Sequence, residues 1–134
     1  MLVDEIKKFS DEINSKIYFD YDLKKSNWFN IGGKTKIYFK PDSLSDLVIF
    51  LRKFGDHKKI YILGAGSNTL ISDKTFDGIV IKLGKNFSNV SLLPNNIIVA
   101  GSACTDKKLS DFALENEIGG LEFLACIPGT IGGG

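Results

Sequence analysis

The glycines of this chain are grouped, and that grouping constrains its fold more than any other feature. Among 134 residues there are 14 glycines, and they cluster at positions 32–33, 64–66, 119–120 and 129–134. Each group lies at a junction between apolar segments, so the chain reads as short strands and helices separated by turns. A strand–helix–strand order precedes the group at 64–66, and this order favours a parallel strand pair with a right-handed crossover.

The segments between the glycines have readable periods. Leu2, Ile6, Phe9 and Ile13 recur at three- and four-residue steps, which predicts an amphipathic helix over 2–14. Residues 16–31 are mixed and extended-looking, and they end in Asn27-Trp28-Phe29 before Gly32-Gly33. Ile37 to Phe39 reads as a strand stopped by Pro41. Ser43 with Asp46 is a variant capping box for a helix whose apolar face is Leu44, Leu47, Val48, Leu51 and Phe54, closed by Gly55. Ile60 to Leu63 is a short, buried-looking strand running into Gly-Ala-Gly-Ser-Asn. Ile79 to Leu83, introduced by an Asp77-Gly78 turn, is another strand. Val90–Leu93 and Ile97–Ala100 pair as a hairpin across Pro94-Asn95-Asn96. Thr105 caps a helix bearing Leu109, Phe112, Ala113 and Leu114, and Gly119-Gly120 ends it.

Composition narrows the function. With 17 basic and 16 acidic residues the formal charge is +1, so the basic stripe of a nucleic-acid binder is missing. The notable basic group, Lys58-Lys59 beside His57, reads as a polar helix end and loop. No apolar run approaches the roughly 20 residues of a membrane span, and the first residues lack a signal core. Two cysteines, Cys104 and Cys126, make neither a metal spacing nor a disulfide framework, so a reduced, cytoplasmic protein is expected. His57, the single histidine, reads as a solvated loop residue.

Two glycine loops can carry chemistry. In Leu63-Gly64-Ala65-Gly66-Ser67-Asn68 the glycines permit positive φ and close approach of a phosphate. Successive amides in such a turn can converge on an anion, and Ser67 and Asn68 add side-chain donors. The loop is not a Rossmann fingerprint, because Thr69 stands where the third glycine belongs and 70–73 make a poor helix. It is not a Walker A loop either, since Gly84-Lys85 is followed by Asn86. By composition alone an ordinary tight turn explains it as well. In Ile127-Pro128-Gly129-Thr130-Ile131-Gly132-Gly133, Pro128 and Gly129 form a turn, and the paired glycines leave bare backbone for a flat ligand or a second phosphate contact. A hairpin turn before another strand is the competing reading.

Four stretches together are more specific than either loop. Asn27–Gly33, Ile62–Asn68, Gly120-Leu121-Glu122-Phe123 and Ile127–Gly133, in this order and spacing, resemble the UDP-N-acetylenolpyruvoylglucosamine reductase (UDP-N-acetylmuramate dehydrogenase, MurB) family. The resemblance covers nearly the whole chain from about residue 20. It implies an α+β fold, the FAD-binding domain of the p-cresol methylhydroxylase and vanillyl-alcohol oxidase type, with two small α/β subdomains flanking the flavin. The expected organisation is an amino-terminal helix over 1–16 and that domain over 17–134, incomplete at its carboxy end and without the substrate-binding domain.

By the same resemblance the cofactor is non-covalent FAD. Its diphosphate would lie on Leu63, Gly64, Ala65, Gly66, Ser67, Asn68 and Thr69, and Ile127, Pro128, Gly129, Thr130 and Gly132 would lie along the cofactor. NADPH is the implied co-substrate and a UDP-sugar, UDP-N-acetylglucosamine enolpyruvate, the implied substrate, with no metal, nucleic acid or membrane partner. The family's catalytic arginine, proton-donating serine or cysteine, and later glutamate match no position here. They are expected beyond residue 134, so the 134-residue chain is expected to be inactive alone. Cys126 stands where many relatives have glycine. Two alternatives are a sugar or alcohol oxidase of the same superfamily, with flavin attached through His or Cys, and an inactive remnant.

Overall fold

The computed structural model describes residues 2–56 and 59–134; His57 and Lys58 of the expected basic loop lie outside the described residues. Helix α1 (Leu2–Ser10) leads into β1 (Lys16–Asp22) and β2 (Lys34–Lys40), then helix α2 (Leu44–Phe54), β3 (Ile60–Ile62) and β4 (Phe76–Ile81). A hairpin of β5 (Val90–Leu93) and β6 (Ile97–Ala100) follows, then helix α3 (Asp106–Glu115) and a 3-10 segment at Glu122–Cys126.

The architecture is α+β with two lobes. The first is a four-stranded mixed sheet in the order β1-β2-β4-β3, with β1 antiparallel to β2 and both β2 and β3 parallel to β4. The expected β2–α2–β3 unit therefore has parallel strands, but β4 is inserted between them. The second lobe is the β5–β6 hairpin with α3 and the chain that follows it.

One face of the sheet and both helices of the first lobe bury Ile6, Phe9, Ile37, Phe39, Phe50, Phe54, Ile79 and Ile81 together. The other face buries Leu23, Tyr38, Leu63 and Val80. This second cluster anchors the start of the glycine loop at Leu63, whose amide donates to Ile81 O at 2.9 Å.

Several local expectations change. Helix α1 stops at Ser10, whose hydroxyl donates back to Lys7 O at 2.6 Å; Ile13 still packs on the core from the following turn. Ser43 caps α2 by accepting from Asp46 N at 3.1 Å, yet the box is not closed. The Asp46 carboxylate instead accepts from Ser15 N and Ser15 Oγ, at 3.1 and 2.6 Å, and so ties α2 to the start of β1. The buried face of α2 is Leu47, Phe50 and Phe54, while Leu44 is 67% exposed and Val48 and Leu51 also reach solvent. Strand β3 is an edge strand with Tyr61 and Ile62 exposed; only Leu63 is buried.

Asp77-Gly78 lies within β4 rather than before it. Gly78 is needed there because a Cβ would meet the backbone and side chain of Lys59 and the Phe76 ring. Helix α3 ends at Glu115, with Asn116 as its cap and Glu117 at φ +58°, before Gly119-Gly120 is reached. Its buried residues include Asp106, Leu109, Ser110 and Ala113, whereas Leu114 is exposed. The hairpin turn is as expected, with Asn95 and Asn96 both at positive φ.

Candidate functional site

Strand β3 ends at the sheet edge, and the chain leaves it as the loop 64–69. A second segment braces this loop from behind. Asn27 is 5% exposed, and its amide nitrogen donates to Leu23 O (3.0 Å) and Ile31 O (2.8 Å) while its oxygen accepts from Phe29 N at 3.1 Å. That network holds the 23–31 turn rigid, and Trp28 N then donates to Gly66 O at 3.0 Å. Gly66 has φ +72°, and a Cβ there would run into Ser26 O and Asn27. The missing side chain at Gly66 thus serves the packing of one loop on another. At Gly64 the reason is different, because a Cβ would meet only Thr130 Oγ1, at 3.1 Å, across the cleft.

The second glycine loop forms the opposite wall. Thr130 makes an antiparallel bridge with Thr105, the cap of α3, so Asp106 N donates to Gly129 O (3.3 Å) and Ile131 N to Cys104 O (2.9 Å). Gly132 N donates to Ser102 O at 2.9 Å, and Gly133 N turns back to Thr130 O at 2.8 Å. Ser67 Oγ donates to Pro128 O and joins the two loops directly.

Between the loops lies a cavity of about 600 Å³, lined by Gly64 to Thr69 on one side and Ile127 to Thr130 on the other, with Tyr61 and Asp106 at its margins. Among the described residues, none of the amides from Gly64 to Thr69 has an acceptor. Six consecutive cavity-lining residues with uncommitted amides, together with the hydroxyls of Thr69 and Thr130 and the Asn68 amide, can bind an oxyanion without a lysine among them.

The expected site residues therefore divide. Gly64, Ala65, Gly66, Ser67, Asn68, Thr69, Ile127, Pro128, Gly129 and Thr130 are brought together on this cavity. Leu63 is 2% exposed, with its amide committed to the sheet. Gly132 faces an adjoining cavity of about 450 Å³, which shares Gly64, Ala65 and Thr130 with the first.

Asp106 was not foreseen. It is 4% exposed, and its Oδ2 has no hydrogen-bond partner among the described residues; a Cβ on Gly129 would meet that oxygen at 2.6 Å. Only the capping signal at Thr105 places it in sequence, and that signal says nothing about a site.

The two cysteines differ in accessibility. Cys104 is fully buried, and burial pushes its thiol pKa up; Asp106 adds to the rise and Lys108 opposes it. Cys126 is exposed. Maleimide labelling of the native chain at pH 7.5 is expected to modify Cys126 alone, with Cys104 reacting only in denaturant. Rapid double labelling of the folded chain would refute this packing.

A model of the FAD binding domain family matches residues 35–134. The chain belongs to that family. Over its full length it is 77% identical to UDP-N-acetylenolpyruvoylglucosamine reductase of Pelagibacter ubique (strain HTCC1062), of which it covers 44%. It is 47% identical over 115 residues to the protein of that name from Rickettsia canadensis (strain McKiel), covering 86% of this chain and 39% of the relative. The chain thus spans less than half the length of the curated relatives it matches. Among solved structures, that of UDP-N-acetylenolpyruvylglucosamine reductase (MurB) from Thermus caldophilus superposes with a TM-score of 0.67 at 24% identity. It covers 89% of this chain and 40% of the other, and it supports the fold. Among the described residues no helix is long and apolar enough to cross a membrane, and no group of three or more His, Cys, Asp or Glu could hold a metal.

Proposed function

We propose that this chain is the FAD-binding portion of a cytoplasmic UDP-N-acetylenolpyruvoylglucosamine reductase. That enzyme would use NADPH to convert UDP-N-acetylglucosamine enolpyruvate to UDP-N-acetylmuramate for peptidoglycan. The observation that carries the reading is the run of unpartnered amides at 64–69 lining a cavity closed on its far side by 127–130. The family match spans residues 35–134, a range that includes both glycine loops.

The donor set fits the proposed group. A diphosphate is a cluster of acceptors, and the free amides of Gly64 to Thr69, with the Thr69 and Thr130 hydroxyls and the Asn68 amide, are a cluster of donors. Gly64 keeps the gap to Thr130 open, so the group could sit between the two loops. Ile127, Pro128, Gly129 and Thr130 would support the remainder of the cofactor against bare backbone. When bound, FAD supplies the hydride chemistry between nicotinamide and the enolpyruvyl double bond. This chain's own residues bind and orient the cofactor, and the rigid brace at Asn27 holds the binding loop in place before it arrives.

The test is reconstitution. The intact protein should take up one FAD with quenched flavin fluorescence, bleach at 450 nm on addition of NADPH, and be reoxidised by the UDP-enolpyruvyl sugar. A protein that retains no flavin at micromolar concentration, or whose reduced flavin is indifferent to that sugar, would overturn the reading. A yellow chromophore that stays with denatured protein would instead favour an oxidase with covalently attached flavin.

A further inference from the structure

The 450 Å³ cavity adjoining the loop has a charge that no expectation covers. Lys82, Lys85 and Lys108 line it, with Ser88, Ser102, Thr105 and Thr130, and no carboxylate lines it among the described residues. None of the three lysines forms an ion pair among the described residues; the pairs present involve Lys53, Lys59 and Lys107. Lys108 Nζ is held by Ser88 O at 2.6 Å at an exposed position. Lys82 is different, because its ammonium is only part-exposed and its one hydrogen bond among the described residues is a long 3.4 Å donation to Ser26 O. Ser26 O is also the atom that a Cβ on Gly66 would strike, so the ammonium lies immediately behind the glycine loop. Burial, and then Lys40, lower the Lys82 pKa. A half-buried ammonium that also feels a second cation is favoured by an anion that completes the site.

We propose that Lys82 is a positioning residue that supplies the countercharge for a nucleotide diphosphate held by the loop 64–68, and so selects dinucleotide flavin over unphosphorylated flavin. The inference rests on the reading of the cleft as a flavin site and adds a residue that neither glycine loop contains. The amides set the geometry of the diphosphate, and the lysine balances part of its charge. Lys82 lines the adjoining cavity, which shares Gly64, Ala65 and Thr130 with the cavity between the loops, so its charge acts from the Gly64–Ala65 end of the loop.

The test compares FAD with riboflavin, which lacks phosphate, on the intact protein. Lys82→Met, of similar length and uncharged, is expected to weaken FAD binding about tenfold or more by fluorescence titration, leaving riboflavin affinity unchanged. Lys82→Arg should restore FAD affinity to within about threefold. The FAD affinity of the wild type should fall with added salt more steeply than that of Lys82→Met. Equal FAD affinity in wild type and Lys82→Met would overturn the role of the lysine and leave the flavin reading standing. Failure of the wild type to bind either flavin would bring down both.

Folding does not confound the outcome, because replacing a half-buried ammonium with an apolar chain of similar length should leave the melting temperature near that of the wild type. As a check independent of any destabilisation, NMR of wild-type protein with ¹³C-methylated lysines should show the Lys82 pKa rising on addition of FAD and not of riboflavin. The signal would be assigned by its loss in Lys82→Arg, and an unmoved signal would refute the contact.

Discussion

Gly66→Ala is expected to abolish flavin retention and to destabilise the first lobe by about 3 kcal/mol or more. Two independent costs meet at this residue. Its φ of +72° lies in the left-handed region, where an alanine pays roughly 1–2 kcal/mol. The added methyl would also be driven into Ser26 O and Asn27 Cα, which are backbone atoms of a turn that cannot give. That turn is fixed by the hydrogen bonds of Asn27, so relief must come from the loop 64–68, moving the amides away from the cavity. Trp28, the single tryptophan, donates its amide to Gly66 O and reports the displacement directly. Its emission should shift in the variant even where the chain remains folded. Gly64→Ala makes the contrast, since its methyl would face Thr130 Oγ1 across the cleft and should affect ligand affinity with little change in melting. Wild-type FAD affinity and unchanged tryptophan emission in Gly66→Ala would show that the brace is not what holds the loop.

The site was legible in the sequence to the extent that it is made of backbone. A glycine loop after a strand announces where amides are free, and the positions from Gly64 to Thr69 and from Ile127 to Thr130 do share one cavity. What could not be read is whatever depends on a distant segment. Gly66 lacks a side chain because Ser26 and Asn27 occupy its space, and a separation of 39 or 40 positions leaves no periodic trace. Lys82, just past the end of β4, and Asp106, at the start of α3, line the two cavities as single charged residues in segments whose pattern speaks only of packing. In the fold, element type followed from periodicity, while sheet order did not: strand–helix–strand predicts parallel direction, but nothing local says that β4 will enter between β2 and β3.

Helix α2 shows the same limit in its energetics and carries the second large prediction. Leu44, Leu47, Val48, Leu51 and Phe54 make an acceptable helical stripe, and so do Leu47, Phe50 and Phe54; propensity does not choose between them. The choice is made by α1 and β2, which bring Phe9 and Phe39 to the helix. Phe50 is fully buried, stacked on Phe39 at 4.1 Å and in contact with Phe54 and Phe9 at 5.2 and 6.1 Å between ring centroids. Phe50→Ala should therefore cost about 3–5 kcal/mol, the transfer term for the ring plus the cavity left among rings that cannot collapse together. Against a typical domain stability of about 5–15 kcal/mol, that leaves the first lobe marginal at 37 °C. Leu44→Ala, at a position 67% exposed, should cost less than about 1 kcal/mol. Urea unfolding of the two variants beside the wild type decides the matter. A larger loss for Leu44→Ala than for Phe50→Ala would mean that α2 presents the other stripe to the sheet. The register of β3, and with it the position of the glycine loop, would then have to be redrawn.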